Sequence, residues 1–184
     1  MKRFITFFTA LVVTAAVMTA QNGVKKYGVK SGTVKAVSEV MGQKVEATSY
    51  FDDYGAKEVS MTKMGGMDIT TISRDGKSWL VNAAAKMVQE MPVQEQVNFL
   101  NLTDEIVAKY KIKETGKETV AGKECTCYSL ELSQMGQTAK LKVCVWKGYT
   151  MKSVTSSMGM EVNAKVTEFT EGPVNAALFE VPEF

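Results

Sequence analysis

Apolar and polar residues alternate with a period of two over most of the chain, which is the pattern of half-buried β-strands. The alternation runs from Thr33 to a turn at Met41-Gly42 and then away again to Ser49, as in a β-hairpin. Strand signals resume at Gly116 and continue, with further turn signals, to Phe169. The pattern predicts a mainly β protein of α+β type, with about 9–11 antiparallel strands in one curved sheet.

Turn chemistry fixes the register of three neighbouring strands. A turn at Gly65-Gly66 places Val59 opposite Ile72, and a turn at Asp75-Gly76 places Ile72 opposite Trp79. The two registers are independent, yet both put the apolar residues on the same face of the sheet, and a slip by one residue would scatter them. We expect this face to be buried. It carries Val59, Met61, Ile72, Trp79 and Val81.

Residues 83–112 interrupt the strand pattern. Val93, Val97 and Leu100 recur at helical spacing, and Thr103 is a favourable N-cap for a second helical stretch. We expect short helices near residues 93–100 and 104–110, inserted so that the curved sheet closes over them.

The start of the chain has the three-part pattern of a secretory signal peptide. A positive pair, Lys2-Arg3, precedes an uncharged apolar run, and small residues then lead to cleavage after Ala20 or, as second choice, after Ala16. An uncleaved anchor is the alternative, but the run falls short of the ~20 residues that a spanning helix needs. We expect a signal peptide at 1–20, a loose segment at 21–31 and one domain at 32–184, in a soluble protein exported to the periplasm or secreted.

Composition excludes several classes of function. The chain has 22 basic and 20 acidic residues, and removal of Lys2 and Arg3 with the leader would balance the two signs. A neutral surface argues against nucleic acid or an anionic membrane as the main partner. The chain has no histidine, which excludes Ser-His-Asp and Cys-His catalysis and His-ligated zinc. We expect a monomer that is not an enzyme and has no cofactor.

Three cysteines in an exported protein suggest one disulfide and one free thiol. If the turn between their strands centres on Met135-Gly136, Cys127 lies directly opposite Cys144, and Cys125 is the diagonal neighbour on the same face. Cys127–Cys144 and Cys125–Cys144 both remain open. A redox pair or thiolate metal site is the weaker alternative, because no further soft ligand lies nearby.

The spacing Met61-x-x-Met64-x-x-Met67 is compatible with thioether ligation of copper(I). Methionine is also a common liner of apolar cavities, and this interpretation fits the position of Met61 on the inferred core face. We therefore expect no metal site.

Several motifs in fixed order resemble a family of exported bacterial proteins, domain of unknown function 4412. They are Tyr50-Phe51-Asp52-Asp53-Tyr54-Gly55, Gly122-x-x-Cys125, Val145-Trp146-Lys147-Gly148, Met151-Lys152-Ser153 and Phe179-Glu180-Val181-Pro182. The family is similar in plan to the LolA-like outer-membrane lipoprotein carriers. The resemblance implies a half-barrel whose concave side is apolar and covered by helices, and it implies no established activity. Cys125 stands at the family's familiar cysteine position, which favours the diagonal disulfide.

We interpret the protein as a periplasmic carrier or binding module for an acyl chain, a lipoprotein or another apolar ligand. The alternative is an interaction or sensor protein of the envelope, in which the helices simply fill the half-barrel. The expected ligand-lining residues of the carrier are Val59, Met61, Ile72, Trp79, Val81, Leu130, Val143 and Val162.

Overall fold

The computed structural model describes residues 25–184 apart from 41, 65, 94–95, 135–136 and 158–159. The predicted signal peptide lies outside these residues. The described chain forms eleven strands and one α-helix, with short 3-10 turns at Asp53–Gly55 and Ala176–Phe179. In chain order the elements are β1 Gly32–Val40, β2 Gln43–Asp52, β3 Lys57–Met64, β4 Met67–Arg74, β5 Lys77–Asn82, β6 Met87–Met91, α1 Asp104–Lys109, β7 Lys113–Val120, β8 Lys123–Gln134, β9 Gln137–Trp146, β10 Tyr149–Ser157 and β11 Met160–Glu171.

All eleven strands belong to one antiparallel sheet with the order β6-β5-β4-β3-β2-β1-β11-β10-β9-β8-β7. Apart from β6 and β7, strands that are consecutive in the chain pair with each other, and the β1–β11 pair joins the two meanders. β7 and β11 contact each other although three strands lie between them in the sheet. The sheet is therefore strongly curved but unclosed, which confirms the predicted fold class in its main feature.

The turn-based registers are confirmed. Val59 lies opposite Ile72, Ile72 lies opposite Trp79, and Lys63 faces Asp68 with 3.9 Å between its amino group and the carboxylate. The apolar residues Val59, Met61, Ile72, Trp79 and Val81 all point to the same side of the sheet. The alternation and the turns therefore specify the same register.

The predicted helix at 93–100 is wrong, and β6 forms where no strand was expected. β6 and β7 are opposite edges of the sheet, so the chain between them connects one edge to the other. Asn98 fixes a turn instead: its side chain accepts from the Leu100 amide at 3.0 Å and donates to the Lys25 carbonyl at 3.1 Å.

The second predicted helix is confirmed as α1. The Thr103 hydroxyl accepts a hydrogen bond from the Ile106 amide at 3.3 Å, which is the N-cap that the sequence indicated. In the part of the chain that the structure describes, no helix has the length and apolar character needed to cross a bilayer.

Residues 25–31 are packed against the sheet, in contrast to the loose segment expected there. Lys26, Tyr27 and Val29 are buried. The amides of Lys26 and Tyr27 donate to the Tyr54 carbonyl at 3.0 Å, and the Gly28 amide donates to the Lys147 carbonyl at 2.8 Å. This segment therefore ties together the β2–β3 and β9–β10 turns.

Candidate functional site

The eight expected ligand-lining residues lie on two opposite faces of the sheet. Val59, Met61, Ile72, Trp79 and Val81 share one face, as predicted. Pairing carried across β1 and β2 shows that Val162 lies on the side of Thr62, opposite to that of Met61. Leu130 and Val143 lie on the side of Val162. A single pocket lined by all eight is thus wrong, because alternation along β3 sends neighbouring residues to opposite faces.

We call the side that carries Val59 the tail face, because the C-terminal tail, residues 174–184, packs on it. Phe179 from this tail joins Val59, Ile72 and Val81 in one buried cluster, and its own side chain is 2% exposed. We call Val59, Ile72 and Val81 the apolar bed. The side chains that surround it and are partly buried are Tyr50, Trp79, Val174 and Val181.

The tail is held by side chains rather than by strand pairing. Among the described residues, its backbone hydrogen bonds are local: the Leu178 amide donates to the Asn175 carbonyl and the Glu180 amide to the Ala177 carbonyl. The Asn175 side chain caps this turn at 3.0 Å from the Ala177 amide. Arg74 on β4 donates to Glu180 at 2.9 Å, so one ion pair flanks the buried Phe179.

Apolar surface extends beyond the tail on the same face. Met61, Thr70, Val81 and Val88 form one row across β3 to β6. The two ends of this row, Met61 and Val88, are each 37% exposed. Met61 was expected inside a cavity, but it forms the exposed rim of the apolar bed.

We call the opposite side the helix face. Here Leu130, Val143 and Val145 are buried with Ile112 beneath α1 and the chain that leads into it. Phe99 stacks on Tyr128 with ring centroids 5.3 Å apart. The α1 region therefore covers Leu130 and Val143. The sequence had predicted that helices would cover the apolar bed instead.

A buried polar cluster joins residues 25–31 to β3. Lys26 and Tyr27 both donate to the carboxylate of Glu58. Burial lowers the pKa of Lys26 against the opposing charge of Glu58, and burial together with Glu58 holds the pKa of Tyr27 well above its usual value. Beside this cluster, Ser49 and Tyr149 line a cavity of about 10 Å³, which is room for one water.

The disulfide joins Cys127 and Cys144, the directly opposed pair, and Cys125 is free and buried. The diagonal pairing that the resemblance favoured does not form. Burial raises the pKa of the Cys125 thiol, which makes it a poor nucleophile. The disulfide borders an open groove of about 330 Å³ beside Glu118 and Lys152, whose side chains pair at 2.7 Å.

The candidate metal ligands do not form a usable site among the described residues. Met61 and Met67 fall on opposite faces of the β3–β4 hairpin, and the Met64 side chain lies outside the described part. Glu118, Cys127 and Cys144 bring ligand atoms within 4.8 Å of one another. The two sulfurs are bonded to each other, however, and so offer no thiolate to an ion.

Sequence reasoning missed the residues that complete these sites. Phe179 belongs to a closing motif that the resemblance used, but nothing in the local pattern shows that it fills the apolar bed. Lys26 and Glu58 are far apart in the chain, and a lysine in a polar segment gives no sign of burial.

Solved structures share the fold at low sequence identity. MucB of Pseudomonas aeruginosa, in its complex with MucA, aligns with a TM-score of 0.59 and 15% identity over 83% of this chain and 56% of that chain. This chain thus spans little more than half of MucB. An uncharacterized conserved protein from Thermus thermophilus aligns with a TM-score of 0.58 and 13% identity, over 86% of this chain and 90% of that one.

The lipoprotein LppX of Mycobacterium tuberculosis aligns over 80% of this chain and 90% of its own, with 10% identity and a TM-score of 0.38, too low to support an argument. No curated protein matches the sequence. The family model described as domain of unknown function (DUF4412) matches residues 32–149, most of the chain. This chain therefore belongs to the DUF4412 family, as its motifs indicated.

Proposed function

We propose that this protein is a non-enzymatic, exported binding module that holds an apolar ligand on the apolar bed of the tail face. The observation that supports the proposal is the position of Phe179, since the bed already accepts an apolar side chain from outside the sheet. The ligand class is an acyl chain, free or on a lipoprotein, or an apolar peptide segment.

The bed has the chemistry that such a ligand requires. Val59, Ile72 and Val81 offer only hydrocarbon, and Trp79 adds an aromatic surface at the edge. Transfer of a phenyl-sized or longer apolar group from water to such a surface contributes about 1.5–3 kcal/mol. The exposed Met61 and Val88 extend the bed for a ligand longer than one side chain.

The two tryptophans allow a matched test of this site. Trp79 borders the bed, whereas Trp146 packs on Phe169 with ring centroids 5.1 Å apart. We expect dansyl-undecanoic acid to quench Trp79 saturably in Trp146→Phe, and to leave the Trp146 signal of Trp79→Phe nearly unchanged. Equal responses, or no saturable response in any variant, would contradict the proposal.

A charge at the rim should weaken binding without unfolding the protein. Met61→Lys places an ammonium group beside the bed at an exposed position, and it should raise the Kd for the dansyl acid several-fold. Met160→Lys is the matched control, because Met160 is similarly exposed on β11, away from the bed. If both variants bind like the wild type, the ligand does not lie along this rim.

A second candidate function is an interaction module of the envelope that binds a protein partner. The filled helix face favours it, because α1 and Phe99 already cover Leu130 and Val143. MucB, which shares the fold, was solved in complex with MucA. The test uses protein that is purified from the periplasm and starts near Gln21. If this protein carries no extractable lipid and binds no acyl probe, the result favours the interaction module.

A further inference from the structure

We infer that the C-terminal tail is a displaceable strap, with Phe179 as an internal competitor for the apolar bed. This inference rests on the proposed function and adds a regulatory step to it. An apolar ligand can reach the bed only when the Phe179 side chain leaves.

The contacts divide the tail from the rest of the fold. Among the described residues, the last backbone hydrogen bond to the frame of the sheet runs from the Gly172 amide to the Ser31 carbonyl, at 3.1 Å. Beyond Pro173 the described backbone hydrogen bonds are internal to the tail. The tail can therefore lift as a unit while every strand keeps its partners.

The side chains that close the strap are few and have separate roles. Phe179 fills the bed, Val174 and Val181 pack against the same cluster, and Arg74 pairs with Glu180 at the surface. Arg74 is partly exposed and Glu180 is largely exposed, so this pair adds little to closure. Most of the closing free energy comes from burial of the Phe179 ring.

The same features define the chemistry of a partner that would open the strap. The bed accepts an apolar group, and Arg74 pairs with a carboxylate beside it. A fatty acid offers both groups, and so does a peptide segment with phenylalanine followed by an acidic residue. Either displaces the strap by mass action, because the open state alone exposes the bed.

Only molecules with the strap open can bind, so the apparent Kd equals the intrinsic Kd divided by the fraction of molecules that are open. Removal of the Phe179 ring removes the free energy that its burial contributes to closure. This change should shift the equilibrium between closed and open strap toward the open state by a factor on the order of tenfold to a hundredfold. Phe179→Ala should therefore bind dansyl-undecanoic acid at least about tenfold more tightly than the wild type. Phe184→Ala is the matched control, since Phe184 is 59% exposed in the same tail, and its Kd should equal that of the wild type.

Competition provides a second measurement on the full-length chain. A synthetic peptide with the sequence of residues 173–184 should displace the dansyl acid from Phe179→Ala, and the same peptide with alanine for phenylalanine at position 179 should not. Val181→Ala, which removes a strap side chain that packs against the bed, should tighten binding of the dansyl acid by a smaller factor. This variant keeps the test available if Phe179→Ala does not fold.

The outcomes separate the strap from the proposed function. If wild type and Phe179→Ala bind the dansyl acid with equal Kd, the strap inference fails and the binding function stands. If Phe184→Ala tightens binding as much as Phe179→Ala, the effect is not specific to the bed and the inference also fails. If no folded variant binds, both the function and the strap are overturned.

Discussion

Two buried tyrosines make the fold sensitive to alkaline pH. Tyr27 donates to Glu58, and burial first and the charge of Glu58 second raise the pKa of both Tyr27 and Tyr149. A raised pKa in the folded state means that the stabilising contribution is complete below the unfolded pKa of about 10 and is lost as pH rises above it. Lys26 has the opposite sign: its lowered pKa makes stability rise with pH, up to its unfolded pKa of about 10.5.

We therefore predict that the free energy of unfolding falls steeply above about pH 10, by up to about 1.4 kcal/mol per pH unit for each of these tyrosines. Tyr149→Phe should show a shallower fall, because one of the two groups is gone. Urea unfolding at pH 8, 10 and 11 measures both slopes. Identical slopes in wild type and variant would show that Tyr149 ionises as easily in the folded protein as in the unfolded chain.

At the scale of single elements, the sequence correctly predicts the strand register and the start of the helix, because neighbouring residues determine both. The Asp75-Gly76 turn and the alternation around Val59 and Ile72 determine one register, and Thr103 determines where α1 begins. The helix predicted around Val97 does not form, because the Asn98 side chain accepts from the Leu100 amide and donates to the Lys25 carbonyl, a partner far away in the chain that no local pattern reveals.

The assignment of the site to one face failed for a related reason. Alternation shows which residues of one hairpin share a face, but it does not show how two distant hairpins are joined. Val59 and Val143 belong to different meanders, and only the β1–β11 pairing relates them. That pairing includes a bulge between Lys35 and Ala36, which the sequence does not reveal.

The disulfide constrains the β8–β9 hairpin, and its effect on stability follows from the loop that it closes. Cys127 and Cys144 are 17 residues apart, and in the chain-entropy model such a loop contributes about 3 kcal/mol. We predict that Cys127→Ala/Cys144→Ala loses about this amount in urea unfolding, while Cys125→Ala loses less. Thiol titration should find one free thiol after denaturation without reductant. A count of three in periplasmic material would contradict the Cys127–Cys144 bond.

Across the whole molecule, the free energy of local opening should decrease from the centre of the sheet toward its edge strand β6 and the C-terminal tail. β1 and β11 lie in the middle of the strand order and pair with neighbours on both sides, whereas β6 has a single neighbour and four of its five residues are exposed. The tail depends on a few side-chain contacts, chiefly the burial of Phe179. Local opening follows such differences in burial and pairing.

Native-state hydrogen exchange should therefore resolve three levels of protection. Amides of β1 and β11 should exchange only through global unfolding, and those of β6 through fraying of the sheet edge. The amides of Leu178 and Glu180 should exchange fastest, because each of them makes one local hydrogen bond. Phe179→Ala should speed exchange in residues 174–181 and leave β1 unchanged, whereas Phe184→Ala should alter neither. If Leu178 and Glu180 exchange as slowly as β1, the tail opens only when the whole sheet unfolds, and it is then a fixed part of the core.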